Sequence, residues 1–445
     1  MTRYLFLYVL LLVSTACFSQ EESGMLLADN TIQIESTDAI NDMYNFKFDR
    51  AENYFLQLRN QYPEHPMPYF LMGLSNFWKM VPYINTDDFR NTYEKEFLTY
   101  IDLAIDKGEA MFSKNDRNVE AAFFLCAAYG FKGRYFADNK DYIKAAFQGK
   151  SALKYLSYTK GKSDLSPEFL FGESIFNYYA EYIKEEYPLL KPIISMFPKG
   201  SKSLGIAQLT ECANSAFYTR IEAQYYLMTI YNNEENNSRA AYPIAKKLNS
   251  TYPDNPYFQR VYARLAWELG YYADCEKICY EINYKVNIGM PGYEENTGRY
   301  ASYFLGRILY EKGDSEKSKF YLLKTIAFAD SANMNKLGYS LSAYYYLGLI
   351  ENKLQNYSEA ERFFLEVVKF GEDKSDNSAS YHYSLAACRL GILYEMLHFN
   401  DRAERYYKRA LQRVKKLDEN NYSVTIREVT QNSNQGLERL NKIKK

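Results

Sequence analysis

Cys275 and Cys279 stand four residues apart, a spacing that turns two thiols to one face of a helix and could furnish half of a metal site. No second pair follows, and both fall where a packed helix expects small or apolar side chains, so they are read as buried thiols. His65, His382 and His398 are scattered, with no further His or Cys at ligand spacing. Gly200-Ser-Lys-Ser-Leu-Gly205 has the glycine spacing of a phosphate loop, but Ile206 and Ala207 follow where a Lys and a hydroxyl would have to reach phosphate and Mg²⁺. That segment is therefore read as a turn and helix start. There is no nucleophile elbow, zincin helix or paired-carboxylate site, and the chain is expected to need no metal and no cofactor and not to be an enzyme. The six cysteines in 445 residues, five of them beyond residue 19, are an odd and sparse set rather than a disulfide framework. With 54 basic against 55 acidic residues there is no clustered positive field for a phosphate backbone, which argues against nucleic acid as a partner.

The first residues, MTRYLFLYVLLLVSTACFSQ, combine Arg3, an apolar run from Tyr4 to Val13 and small residues before Gln20, the pattern of a signal peptide cut after Ser19. The run is shorter than the ~20 apolar residues that span a bilayer. A second reading stays open: Ser14-Thr-Ala-Cys17 resembles a bacterial lipobox, with Ser14 where Leu is usual, and would make Cys17 a lipidated N-terminus. Either way the chain is expected to be exported, as a soluble periplasmic protein or as an outer-membrane lipoprotein.

These sparse chemical groups sit on a repeating frame. Small residues recur 12 positions apart at Gly391 and Ala403, Gly348 and Ala360, and Gly306 and Ser318, each inside an amphipathic pattern of period near 3.6. Two antiparallel helices joined by a tight turn satisfy such a pattern, and the turns Glu311-Lys-Gly-Asp-Ser-Glu and Leu354-Gln-Asn-Tyr-Ser-Glu carry stop and cap residues. Upstream, the frame places Ala263 with Cys275, Met228 with Ala240, Gly172, Cys126 with Ala145, Gly73 with Ala104, and Ala39 with Ala51. The pattern resembles the tetratricopeptide repeat of the exported bacterial type. Its usual period is about 34 residues, whereas these anchors recur at intervals of 34 to 56, so the repeats are elongated or interrupted.

The resemblance implies an all-α fold, an α-α superhelical solenoid of about nine helix pairs. The expected organisation is a signal peptide at 1–19, a linker at 20–34, N-terminal repeats with insertions at 35–215, C-terminal repeats at 216–416, and a capping helix with a basic tail at 417–445. Tyr187 to Pro198, apolar with three prolines, is read as a loop over a seam between repeats or as a contact surface. The resemblance also implies that the first helix of each pair lines a concave groove. The groove side chains would be Tyr257, Arg260, Arg264 and Trp267, then Tyr300, Tyr303, Arg307 and Tyr310, then Ser342, Tyr345, Leu349 and Asn352. Tyr, Trp and Arg dominate binding hot spots. Three arginines without a neighbouring groove acid point to a protein or peptide partner that is acidic or bears a carboxylate. A glycan ligand stacked on the tyrosines is the alternative.

Overall fold

A computed structural model of the protein describes residues 24–83, 87–188, 191, 197–331, 338–371 and 377–444. The signal segment with Cys17, and most of the apolar loop after Tyr187, lie outside the described residues. Among these residues there is no strand; 19 α-helices follow one another with short connections. They are α1 Asn30–Tyr44, α2 Phe48–Gln61, α3 Pro66–Met80, α4 Asp87–Lys114, α5 Val119–Asp138, α6 Tyr142–Thr159, α7 Phe169–Glu186, α8 Lys202–Ser215 and α9 Arg220–Thr229. The series continues with α10 Ser238–Thr251, α11 Pro256–Glu268, α12 Tyr272–Asn287, α13 Glu295–Glu311, α14 Ser315–Ser331, α15 Gly338–Lys353, α16 Tyr357–Phe370, α17 Asn377–Met396, α18 Asn400–Val414 and α19 Glu419–Lys444. In chain order the first eighteen form nine successive pairs, and the fold is all-α, built within each unit of stacked tetratricopeptide-like helix pairs. Helix α1 begins inside the stretch read as linker, because the Asp29 carboxylate caps it through Thr31 and Ile32 (2.8 and 3.0 Å).

Seven of the turns between paired helices share one backbone device. A residue with positive φ ends the first helix at Phe46, Lys140, Asn236, Gly270, Gly313, Gln355 and His398. In six of these turns the next N–H returns to the carbonyl five residues back, as from Tyr271 to Ala266 (2.8 Å), Asp314 to Leu309 (3.0 Å) and Phe399 to Tyr394 (2.8 Å). This is the Schellman closure, which satisfies the orphan carbonyls of the helix end. The positive-φ residue lies seven positions beyond Ala39, Ala263, Gly306, Gly348 and Gly391, so the turn and the small helix position are locked in register.

That register corrects two anchors. Seven before Lys140 is Gly133, and there, 12 before Ala145, a side chain would press on Gln148 and on the Ala145 carbonyl (3.3 and 3.4 Å). Gly133 rather than Cys126 is the close-approach residue of that hairpin; Cys126 instead lies 3.2 Å from where a Cβ on Gly172 would be. In the next case the end of the helix widens into a π turn, Ile230–Glu234, which adds one residue. Ala241, fully buried, therefore takes the place expected of Ala240, which is only half-buried.

The small residues admit more than each other. A Cβ on Gly306, Gly348 or Gly391 would fall within 2.7 Å of Leu322, Phe364 or Tyr407, each 16 positions on, so one large side chain of the second helix fills the notch. Ser318, at the small position of its helix, donates to the Gly306 carbonyl (2.7 Å). Gly200 and Gly205 serve the same end: Cβ atoms there would stand 2.3 Å from the Asn177 carbonyl oxygen and 2.7 Å from the Tyr178 nitrogen, so α8 can lie against α7 only without them. Ser201 caps α8 through Leu204 (3.4 Å), a helix start and not a phosphate loop.

The described residues divide into two compact units, one within 24–78 and 93–227, the other within 79–92 and 228–444. The first is cored by Tyr44, Phe55, Trp78, Phe97 and Tyr178, all essentially inaccessible. The second is cored by Phe258, Tyr293, Phe304, Phe364 and Tyr407. In the second unit α11, α13, α15 and α17 lie side by side, while α12, α14, α16 and α18 stand further apart. A stack whose first helices crowd and second helices spread curves with the first helices inside. Helix α19 closes the end, burying Val429, Ser433 and Leu440 while its other face stays wet.

Candidate functional site

Asn255 caps α11 through Tyr257 and Phe258 (3.0 and 3.1 Å), with Pro256 in the first turn, and so fixes the phase at which Arg260, Arg264 and Trp267 leave the helix. Residues four apart share a helix face, which aligns Arg260 with Arg264 on α11 and Tyr303 with Arg307 on α13. The inner face of the second unit is a ladder of rings and guanidinium groups. Arg260 lies over Tyr257 and Tyr300 (5.5 and 5.6 Å to the ring centres). Arg307 lies 3.8 Å over Tyr346 and 5.4 Å over Trp267, and donates to the Tyr303 hydroxyl (3.0 Å). Trp267 packs on Phe304 (5.3 Å), Tyr300 on Tyr339 (4.5 Å) and Tyr310 on Tyr346 (4.9 Å).

Of the twelve predicted groove residues Asn352 is exposed, Leu349 half-buried and Ser342 buried, and the nine aromatic and arginine side chains divide into two groups. Tyr257, Arg260, Arg264, Trp267, Tyr300, Arg307 and Tyr310 are half-buried and border the inner face. Tyr303 and Tyr345 are buried: the Tyr303 hydroxyl meets Ser342 Oγ (2.9 Å), and the Tyr345 hydroxyl accepts from Arg389 Nε (3.3 Å). They set the ladder's spacing rather than offer surface. Nor are the arginines free of groove acids. Arg264 pairs with Glu268 (3.4 Å) and Arg307 approaches Glu311 (3.8 Å), one turn on in each helix. Both acids stand at the turn end, just past the groove positions, where the groove spacing does not register them.

Four ladder residues lie outside the groove positions given by the repeat spacing. Tyr339, Tyr346 and Arg389 extend it across α15 and α17, and Arg299 lies behind Tyr300 in the first turn of α13, 2% exposed. Electrostatics separates the arginines. Burial opposes the charge of Arg307, but Tyr303, Tyr346 and Glu311 outweigh it and its pKa is raised. For Arg260 and Arg299 burial prevails over Tyr300 and their other ring neighbours, and both pKa values are lowered.

The first unit holds buried polar groups that no motif announces. Glu222 accepts from Trp78 Nε1 (2.7 Å) and Tyr44 Oη (3.0 Å), and burial pushes its pKa up. It borders an apolar cavity of about 30 Å³ among Tyr44, Phe70 and Phe131, room for about one water by volume. Glu168 accepts the Phe217, Tyr218 and Thr219 amides (2.5 to 2.9 Å), holding the turn before α9. Both acids pin helices. Cys275 and Cys279 are fully buried with sulfurs 3.9 Å apart, and burial holds the Cys279 thiol well above its ordinary pKa. Among the described residues no group of three or more His, Cys, Asp or Glu is placed to hold a metal ion, and no helix is long and apolar enough to cross a membrane.

No family model and no curated protein matches the chain. Among solved structures, the crystal structure of yeast Tom70 aligns with a TM-score of 0.34 and 14% identity, over 82% of this chain and 64% of that one, so the chain spans less than two thirds of its length. The crystal structure of the P58(IPK) TPR domain aligns with a TM-score of 0.26 and 12% identity, over 92% of this chain and 99% of that one. The repeat assignment rests on the hairpin register and close-approach residues described above.

Proposed function

We propose that the protein is an interaction scaffold that holds a protein or peptide segment against the inner face of its second unit. The observation that carries this reading is the ring and guanidinium ladder on α11, α13, α15 and α17, half-exposed over four successive repeats. Stiff aromatic side chains and Arg give large contact area at low ordering cost, and a row of them along neighbouring helices suits an extended ligand. Binding, rather than catalysis, is the role this surface serves. An acidic or carboxylate-bearing partner is favoured by Arg264, whose exposed pairing with Glu268 is weak enough to be exchanged. The composition of residues 1–19 supports export, with the protein in the periplasm or held at the outer membrane through Cys17.

Crosslinking and affinity capture from envelope fractions, followed by measurement with the isolated partner, test the proposal. Arg264→Ala should weaken binding about tenfold, the loss of one charge-assisted contact, and leave the melting temperature nearly unchanged. Arg307→Ala should weaken binding too, but with a loss of stability, because the side chain is stacked on Tyr346. Undiminished binding by both variants, or retention of the protein on envelope polysaccharide with no protein captured, would refute the reading. Loss of processing or of membrane fractionation in Cys17→Ser would favour the lipidated form over the soluble one.

A further inference from the structure

Arg299 is buried and Arg260 half-buried, and among the described residues neither guanidinium has a counter-charge. Arg299 donates through Nη2 to Asn296 Oδ1 (3.3 Å), while its Nε and Nη1 have no hydrogen-bond partner. Arg260 Nη1 is likewise buried without one. Both face the same ring: the guanidinium carbons stand 5.1 Å (Arg299) and 5.6 Å (Arg260) from the centre of Tyr300. Among the described residues no carboxylate pairs with either, whereas Arg264, Arg307 and Arg389 each have an acid within 4 Å, namely Glu268, Glu311 and Glu428.

Native proteins seldom leave buried donors unmade, because an unpaired buried polar group forfeits its hydration without recompense. A buried cation is more demanding still, and is ordinarily paired or neutralised. Cation–π contact with Tyr257 and Tyr300 offsets part of this, but a ring face accepts no N–H in the plane of the guanidinium. Three donors on two side chains therefore remain, and two cations that repel one another are held together around one ring by the fold. The turn at Val81–Tyr83 meets the start of α13, where Asn296 donates to the Pro82 carbonyl (3.0 Å). Tyr257, Arg260, Tyr300 and Tyr339 are half-buried and border the groove.

The geometry points to an oxyanion-binding site at the Arg260–Tyr300–Arg299 cluster, completed by a compact anionic group that enters from the groove and accepts from the three unpaired donors. Arg is suited to this because its planar donors address two oxygens of a carboxylate or phosphoryl group. The inference rests on the groove reading for how the anion is delivered, as part of a bound ligand, but the site is charged and built without that ligand. A small anion alone is therefore an adequate probe, and the outcome with it does not depend on whether a protein partner binds.

The experiment is thermal unfolding of the full chain titrated with acetate and with inorganic phosphate, at ionic strength held constant with sodium chloride. Wild type should show a saturable rise in its unfolding midpoint, since a ligand bound only by the folded state stabilises it by mass action. A response to acetate above that to phosphate identifies a carboxylate-bearing ligand, and the reverse order a phosphoryl group. Arg299→Met should unfold at the wild-type temperature or above without anion, because it removes an uncompensated buried charge of similar volume, and should lose the response. Arg260→Met should raise the half-saturating concentration about tenfold or more, which keeps the test decisive if Arg299→Met is not obtained folded. Lys353→Ala, which removes an exposed cation of the same unit, should keep the full response. No saturable response in wild type, a response unchanged in Arg260→Met, or one lost equally in Lys353→Ala would overturn the site. Failure of Arg264→Ala to weaken partner binding, with the anion response intact, would instead overturn only the groove reading.

Discussion

Replacing two helix-interior glycines by alanine should shift stability in opposite directions. Gly130 lies within α5 with no atom inside 4 Å of where its Cβ would stand. Gly130→Ala should therefore yield only the helix-propensity gain, about 0.5–1 kcal/mol. Gly348 lies within α15, and its Cβ would stand 2.5, 2.7 and 2.9 Å from Cε1, Cδ1 and Cζ of Phe364. Carbon atoms rest about 3.5–4.0 Å apart, so the ring has to retreat by roughly an ångström. Phe364 is 1% exposed and has nowhere to go. Overpacking of this kind costs about 1–3 kcal/mol, and after the same propensity gain Gly348→Ala should be destabilised by about 0.5–2 kcal/mol. Followed by far-ultraviolet circular dichroism in urea, with a slope of about 3 kcal/mol per M, the midpoint falls by about 0.2–0.7 M, whereas Gly130→Ala raises it by about 0.2–0.3 M. Phe364→Leu in the Gly348→Ala background should recover part of the loss, giving a coupling of at least about 0.5 kcal/mol in a double-mutant cycle. Equal shifts of the same sign at the two glycines, or strict additivity with Phe364→Leu, would refute the argument that the notch is filled by the ring.

Glu395 accepts from Tyr407 (2.6 Å) and from both Nε and Nη2 of Arg439 (2.6 and 2.9 Å), tying α17 and α18 to the capping helix, and the Arg439 bond holds its pKa below the ordinary glutamate value. A lowered folded pKa gives stability that is present above the ordinary value of about 4.3 and is lost as pH falls through the folded one; Glu395→Gln should cost about 1–2 kcal/mol at pH 7, and urea midpoints of variant and wild type should draw together as pH falls below the ordinary glutamate value. Lys319 pairs with Glu351, which is buried; Lys319→Ala should destabilise by about 1–3 kcal/mol, and a change below about 0.5 kcal/mol by the same assay would contradict the pairing. Gln355 is exposed in the left-handed region with φ 62°, a conformation costing about 1–2 kcal/mol for a residue with Cβ; Gln355→Gly should raise the urea midpoint by a net ~0.5–1 kcal/mol once the added freedom of the unfolded chain is counted. Ala360 is fully buried at the crossing of α15 and α16; Ala360→Leu should lose about 1–3 kcal/mol while exposed Lys353→Leu stays within about 0.5 kcal/mol, and calorimetric melting tells them apart.

The last three hairpins were legible in the sequence because their turns are tight and regular, so the 12-residue offset of Gly306, Gly348 and Gly391 survives unchanged. Where the helix end departs from α geometry the offset slips, by one residue at the π turn after Thr229; after α5 the turn is regular and the offset holds from Gly133 to Ala145, but Cys126 and Gly133 stand seven apart on one face, so spacing alone does not choose between them. The groove was read in part for the same reason. Position within a helix identifies which side chains share a face, and Tyr257, Arg264 and Trp267 do border the inner one. It does not tell which of those side chains the neighbouring repeat will cover, as Ser342 and Arg389 cover Tyr303 and Tyr345.

What the sequence determined by itself is therefore the local and periodic part: helices from their amphipathic spacing, hairpins from small residues and caps, and the order of nine pairs. These are set within some 30 to 50 neighbouring residues, and need no knowledge of distant contacts. The charge state of the inner face was decided only in three dimensions. Arg264 and Arg299 are alike in sequence, yet one ends half-exposed beside Glu268 and the other 2% exposed behind Tyr300 with two donors unmade. Desolvation and pairing depend on what packs from the next helix and from the Val81–Tyr83 turn more than 200 residues away, and periodicity carries no record of either.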